Sequence, residues 1–254
     1  MKLNRWGYSG KIYLLATHFL KGKVNIGRCS VCDRNTFFIL NGNYDRDNYE
    51  CLRCGSLPRQ RMLMLSLNKF IPNWKTKVIH ETSPGSSSSY YIAKNCSLYT
   101  SSQYFLNVQP GDKYHGTRCE NLEKLTFGKQ TFDIFISQEV MEHVFHPDLA
   151  LAEITRVLKI GGYHVFTTPY RNWTKTVQRA KLDLKGEVVH LESPEYHGNP
   201  VGNGKSLVTF DWGYNFLEYV KKYSKMDVQI YSIIDENLGL RGELLEVFVC
   251  RKLK

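Results

Sequence analysis

Two cysteine pairs, Cys29-Ser-Val-Cys32 and Cys51-Leu-Arg-Cys54, separated by residues 33–50, carry the first chemistry legible in this chain. Tetrahedral zinc takes four thiolates at about 2.3 Å, and a two-residue spacer lets one tight turn present two of them. TFFIL and NYE flank Asn41-Gly42-Asn43, a hairpin signal that would bring the pairs together. Disulfides and a thioredoxin-like redox pair are the other readings of these cysteines. No secretion-type segment supports the first, and the presence of two knuckles favours metal over the second. Four thiolates leave no open position, so zinc held here is expected to be structural. Cys96, Cys119 and Cys250 lack partner spacing and read as core or strand-end residues.

The second capable group is a set of histidines. His143 follows Glu142 in QEVMEHV, and His190 and His197 lie in VVHLESPEYHGNP. Imidazole is suited to accept a proton near neutral pH, which makes His143 a candidate base and His190 and His197 alternatives. Each of them can also serve only to hydrogen-bond its loop. Tyr196 and His197 sit in a basic, poorly periodic segment after Pro169, where a long irregular stretch reads as an acceptor-side lid.

The elements that must position these residues run from Phe132 to Pro169. In FDIFIS nearly every residue is apolar, as a strand buried on both faces requires. Pro147 and Asp148 open a helix whose Leu151, Ile154, Val157 and Leu158 share one face. Gly161-Gly162 is expected to end it, and YHVFTTP to form the next strand. Upstream, a helix is expected over residues 59–70 with Met62, Leu65 and Leu67 buried, and strands at 77–81 and 97–100. Between those strands lies Thr82-Ser-Pro-Gly-Ser-Ser-Ser-Ser89, a turn whose backbone N–H groups can approach a polar ligand, although GxGxxG spacing is absent. Downstream, NFLEYVKKY reads as a helix, and VQIYSIID and LLEVFVCRK as a terminal antiparallel pair.

FDIFISQEVMEHVFHP followed by EITRVLKIGGYHVFTTP resembles the second half of a class I S-adenosylmethionine-dependent methyltransferase of the type 11 kind. The chain also resembles a bacterial subgroup with SPxS after the first strand, SQYF after the second, ENL at Glu120 to Leu122 and EYHGNP at Glu195 to Pro200. The resemblance implies a Rossmann-like α/β sheet, mostly parallel, of seven strands with the last antiparallel, beside a small zinc-ribbon-like module. It implies S-adenosylmethionine at the carboxyl end of the sheet, bordered by Glu81, Ser83, Gly85, Gln138 and Glu139. The family's acidic residue for the ribose is missing, so Ser102 or Gln103 is expected in its place. Glu120, Asn121 and Leu122 are expected at the adenine, Asn121 accepting from its amino group. The position of His143 after the fourth strand puts it near the methyl group. His190, Tyr196 and His197 are expected on the acceptor side.

The expected organisation is a basic helical segment at 1–23, a zinc-binding module at 24–58 and a methyltransferase domain at 59–254. The resemblance implies methyl transfer to a hydroxyl of a small-molecule or carbohydrate-type acceptor. A net charge of +10 and pI of about 9.2 keep open an RNA methyltransferase, though the basic residues are dispersed rather than clustered. A non-catalytic binding protein on the same fold is the other alternative. The apolar run from Ile12 to Leu20 is interrupted by His18 and is too short to span a bilayer, so a cytoplasmic protein is expected.

Overall fold

The computed structural model describes residues 23–199 and 204–254. The basic helical segment expected at the start of the chain lies outside the described residues, Lys23 excepted. Strands β1 (Val24–Cys29), β2 (Arg34–Leu40) and β3 (Tyr49–Cys51) form a three-stranded antiparallel sheet. Asn41-Gly42-Asn43 does not close a two-residue hairpin. A helical turn, α1 (Asp45–Asn48), intervenes, and Asn41 N bonds Asn48 O at 2.9 Å. Asp45 and Asp47 occupy its first turn, where carboxylates favour helix.

Pro58 opens α2 (Pro58–Phe70), and Gln60 Oε1 accepts from Leu57 N at 3.1 Å, satisfying one amide at the helix start. Met62, Leu63, Met64 and Leu67 are wholly buried, and Leu65 only partly. Cys29, Val31, Phe38 and Tyr49 share one apolar cluster with these residues and with Ile79, Ile134 and Val165 of the larger sheet. The cysteine module thus packs into the same core as the rest of the chain.

The chain continues through β4 (Ile79–Thr82), α3 (Ser87–Asn95), β5 (Tyr99–Gln103), β6 (Lys113–Tyr114), β7 (Thr117–Cys119), β8 (Phe132–Gln138), α4 (Pro147–Val157) and β9 (Leu158–Thr167). Then come β10 (Tyr170–Arg171), β11 (Val177–Gln178), β12 (Ala180–Leu182), β13 (Val188–His190), β14 (Tyr196–Gly198), β15 (Lys205–Leu207) and β16 (Phe210–Gly213). Last are α5 (Phe216–Ser224), β17 (Asp227–Tyr231) and β18 (Val247–Arg251). The large sheet has eight strands in the order β17-β18-β9-β8-β4-β5-β7-β6. Seven were expected; the eighth is the two-residue edge strand β6, which hairpins onto β7.

Pairings from β7 through β9 are parallel, while β18 runs antiparallel to both β9 and β17. The chain order reverses at β4, flanked by β5 and β8, so the crevice for a ligand opens at the carboxyl ends of these strands. Ile134, Phe135 and Ile136 of β8 are fully buried, as its unbroken apolar run requires.

Gly161-Gly162 does not stop the helix. α4 ends at Val157, and the glycines sit inside β9, where the register jumps from Phe132↔Leu158 to Ile134↔Tyr163. Gly161 takes a φ of 78°, and a Cβ on Gly162 would lie 2.9 Å from Lys159 O. The pair therefore absorbs a bulge that only glycine fits.

The stretch after Pro169, read as irregular, folds into paired short strands: β12 with β13, β14 with β15, and β16 with both β10 and β11. Its strands are too short for periodicity to reveal them. Trp212 anchors the segment, stacked between Phe210 and Phe216 at 4.6 and 4.1 Å. No helix among the described residues is long and apolar enough to cross a membrane.

Candidate functional site

Each cysteine knuckle closes in the same way. Asp33 N bonds Cys29 O and Gly55 N bonds Cys51 O, both at 2.8 Å, and Asp33 and Gly55 both adopt positive φ. The sulfurs of Cys29, Cys32, Cys51 and Cys54 lie within 4.8 Å of one another. Cys29 Sγ and Cys54 Sγ are 3.7 Å apart, close to the tetrahedral edge of about 3.8 Å that zinc–sulfur bonds of about 2.3 Å impose. Ser56 Oγ lies 3.2 Å from Cys29 Sγ and 3.3 Å from Cys54 Sγ. Beneath them Arg61 is completely buried and donates to Tyr49 O, Ser56 O and Gly239 O. Its fixed positive charge is the counterpart that a cluster of thiolates requires.

At the carboxyl end of β4, Glu81 is wholly buried. Its carboxylate accepts from Ser89 Oγ, Gln138 Nε2 and Tyr99 OH, each at 2.7 Å. Burial raises its pKa, and the three donors oppose that rise. Ser83 enters the turn at a φ of 53°, and Gly85 reaches 159° with nothing within 4 Å of where a Cβ would sit. Ser86 then caps α3, its Oγ accepting from Ser89 N at 3.0 Å. Gln138 Oε1 accepts from Ser88 Oγ at 3.0 Å, tying the end of β8 to this turn. Glu81, Ser83, Gly85 and Gln138 are thus brought together around the crevice.

Other expected cofactor residues have internal partners. Ser102 Oγ lies 2.9 Å from His80 Nε2 on the buried face of the sheet, whereas Gln103 alternates to the opposite face. Glu120 is held by Arg118 Nε at 2.7 Å, Thr126 Oγ1 at 2.5 Å and Thr126 N at 2.9 Å. Asn121 Oδ1 accepts from Glu123 N at 2.9 Å, a local turn bond. Leu122 is buried in the cluster that includes Leu125, Phe132 and Leu151.

Glu139 sits at a φ of 54° and pairs with Arg46, which reaches over from α1. Arg46 Nε also donates to Leu244 O at 3.0 Å, and Arg59 of α2 pairs with Asp47. Burial opposes ionisation of Glu139, but Arg46 and Arg59 outweigh it and hold the carboxylate below its usual range. The role of these two arginines is not legible in the sequence because only folding brings α1 and the start of α2 to the end of β8.

Beyond Glu139 the turn Val140–His143 closes through His143 N to Val140 O at 2.9 Å. Thr209 pins this turn to the inserted segment, its N bonding Glu142 O at 2.8 Å and its hydroxyl contacting the carbonyls of Glu142 and Val144. His143 Nδ1 lies 2.8 Å from Leu207 O, so it carries the proton and leaves Nε2 as a lone pair. His197 approaches from β14, its ring 5.1 Å from that of His143 and perpendicular to it. Burial lowers the pKa of His143. Glu142, absent from the expected site, brings Oε1 to 3.8 Å from His143 Nε2 and 3.9 Å from His197 Nδ1, and burial followed by the charge of Glu139 pushes its carboxyl up to about 8. Its neighbour His143 is the only signal that pointed to it. Tyr196 is exposed, with Lys205 Nζ 6.0 Å from its ring. His190 is also exposed, on the β12–β13 hairpin, with no contact to this group.

Residues 89–166, from the first turn of α3 to β9, match the family model described as a methyltransferase domain. The ubiquinone biosynthesis O-methyltransferase of Bradyrhizobium sp. (strain ORS 278) is 35% identical over 68 residues, 27% of this chain and 26% of that protein. The chain's match thus spans about a quarter of the length of this curated relative. Among solved structures, an S-adenosylmethionine-dependent methyltransferase from Mesorhizobium loti is similar at 14% identity and a TM-score of 0.48, over 75% of this chain and 98% of that one. The Burkholderia thailandensis 1,6-didemethyltoxoflavin-N1-methyltransferase is similar at 14% identity and a TM-score of 0.45, over 77% and 79%. The segment that matches the methyltransferase-domain model thus forms the centre of a mostly parallel sheet in which β18 runs antiparallel, the arrangement that the sequence resemblance implies.

Proposed function

We propose that this chain transfers a methyl group from S-adenosylmethionine to a hydroxyl oxygen of a small-molecule or carbohydrate-type acceptor. The observation that carries the reading is the orientation of His143. Its Nδ1–H is fixed on Leu207 O, and its Nε2 lone pair is presented just beyond the carboxyl end of β8. A hydroxyl acceptor must lose its proton as the new bond forms, and this lone pair is where activation occurs.

The residues around β4 and β8 fit the cofactor. Open space beside Gly85 gives room for a ligand against the backbone, and Ser86 starts a helix whose N-terminus faces the same turn. Glu139 Oε1 is buried without a hydrogen-bond partner among the described residues, an acceptor suited to a ligand ammonium. When bound, S-adenosylmethionine supplies an electrophilic methyl group. Glu81 orders the turn through Ser89 and Gln138, Glu139 contributes negative charge, and the inserted strands β14 and β15 shield the acceptor side.

The cysteine cluster holds structural zinc in this reading, with Arg61 offsetting the excess charge of four thiolates. Its mechanical role is to fix α1, and through it Arg46, against Glu139. The test of the catalytic assignment is His143→Ala. Turnover of an accepted hydroxyl substrate should fall by about 10²- to 10⁴-fold, while S-adenosylhomocysteine affinity stays within a factor of a few. Equal loss of cofactor binding would reassign His143 to a structural role.

A further inference from the structure

Three side chains at the acceptor end share a feature that proton transfer alone does not need. In each, one polar atom is directed to a protein partner and another is turned inward. His143 gives Nδ1 to Leu207 O at 2.8 Å. Glu142 accepts Thr168 Oγ1 on Oε2 at 2.9 Å. His197 turns Nε2 toward Glu195 Oε1 at 3.6 Å. The inward atoms converge: Glu142 Oε1 is 3.8 Å from His143 Nε2 and 3.9 Å from His197 Nδ1. One ligand atom from each residue lies within 4.8 Å of the other two. Glu142 is 1% exposed, and its Oε1 is buried with no hydrogen-bond partner among the described residues.

A buried carboxyl oxygen held 3.8 and 3.9 Å from two imidazole nitrogens is too far from either for a hydrogen bond and is left without a partner among the described residues. Metal-bound histidines characteristically donate their outer N–H to a carbonyl or carboxylate, which fixes the tautomer and leaves the inner nitrogen to bind. Here Leu207 O is such an outer partner for His143, and Glu195 Oε1 stands 3.6 Å from His197 Nε2, outside direct hydrogen-bond distance. Ligand–ligand separations of about 3.0–3.5 Å follow from metal–ligand bonds of about 2.0–2.2 Å, so the two Glu142–histidine distances must shorten by roughly half an ångström, and the two ring nitrogens, within 4.8 Å of each other, must close with them.

We infer that Glu142 Oε1, His143 Nε2 and His197 Nδ1 form a binding site for a divalent transition-metal cation with open coordination positions, distinct from the four-cysteine site. Two imidazoles and one carboxylate suit zinc and its neighbours in the first row, and disfavour magnesium and calcium, which take oxygen ligands. This inference rests on the methyltransferase reading for its use and specifies how the His143 lone pair acts there. The acceptor hydroxyl takes an open position on the cation, which lowers its pKa, and its proton passes to water. The oxygen then forms the new O–C bond as the S–C bond of the sulfonium breaks, the electron pair remaining on sulfur. Glu195 is a positioning residue, acting on the cation through His197.

The experiment is equilibrium dialysis of the full chain against buffered micromolar Zn2+, with metal analysis of the protein. Wild type should hold two equivalents. His197→Ala, made at a half-exposed side chain, and Glu142→Gln, which preserves shape, should each hold one. Glu195→Gln should retain the second ion with about 10-fold weaker affinity. Dialysis against Co2+ should give a weak visible band for the nitrogen–oxygen site that His197→Ala removes, separate from the intense thiolate absorption. One equivalent in the wild type, or a second ion that survives both His197→Ala and Glu142→Gln, would overturn the site. S-adenosylhomocysteine binding by His197→Ala, measured alongside, separates the two ideas. If every form fails to bind it, the methyltransferase reading falls while the metal count still decides the site.

Discussion

Two clusters of potential ligands lie among the described residues, and they are built in opposite ways. The cysteine cluster draws its four sulfurs from residues 29–54 and encloses them between two knuckles and the buried Arg61. The second cluster joins adjacent Glu142 and His143 to His197, which reaches them only because Thr209 and Leu207 fasten the inserted strands to the turn after β8. The first is closed, its four sulfurs facing one another within 4.8 Å. The second turns one buried carboxyl oxygen, unpartnered among the described residues, toward a nitrogen of each of two histidines. Local spacing makes a site rigid, and long-range assembly leaves it room for a reactant.

This contrast can be broken by perturbing each cluster, and the largest effect is expected at the closed one. Cys51→Ser removes a thiolate from the proposed zinc set; metal binding of that kind is folding energy, worth about 10 kcal/mol or more for small zinc modules. Loss of one metal equivalent and a cooperative drop in thermal stability should follow, and because the module shares the main core, the whole domain should be affected. Unchanged stability after metal loss would mean that the knuckles hold themselves together.

Thr209→Val probes the long-range assembly. The residue is fully buried, and its hydroxyl serves the carbonyls of Glu142 and Val144. Unfolding in denaturant should show a loss of about 1–3 kcal/mol. Turnover should fall with it, because the turn carrying His143 loses its anchor. A stability loss with full activity would argue that the inserted strands do not position the histidine.

The smallest effect concerns the sheet beneath the second cluster. His164 is fully buried, bonded to Ser137 Oγ at 3.0 Å and stacked on Phe166. Burial lowers its pKa from 6.5 to about 3. Below pH 6.5 the unfolded chain gains a proton that the folded chain refuses, so this group erodes stability as pH falls toward 3. Between pH 7.5 and 5.5 the cost is about 1.4 kcal/mol. Whatever His164→Gln costs at pH 7.5, its deficit against wild type should shrink by about that amount at pH 5.5. A constant deficit would show that His164 titrates normally.

The same contrast explains what could be read in the sequence. The cysteine knuckles, β8 and α4 were legible because each is specified by neighbours in the chain: CxxC spacing, an unbroken apolar run, an apolar helix face. The mostly parallel sheet with its antiparallel last strand followed from the resemblance. Gly161-Gly162 misled because a glycine pair serves a helix stop and a strand bulge equally well, and only pairing with β8 decides. The inserted strands β10 to β16 are two to four residues long, and Trp212 of β16 stacks on Phe216 of α5. Arg46, Arg59 and Glu142 escaped notice because their significance lies in partners brought together by folding. For Asn121 and Glu120 the turn used the same polar groups that the resemblance reserved for adenine.

The central claim is that the crevice beside β4 and β8 takes S-adenosylmethionine. Isothermal titration calorimetry of the wild-type chain with S-adenosylhomocysteine tests it without knowledge of the acceptor. The account predicts saturable one-to-one binding that Gly85→Val weakens by at least 10-fold, since the new side chain would occupy the open space beside the turn. No measurable binding by a folded, zinc-loaded protein would contradict it.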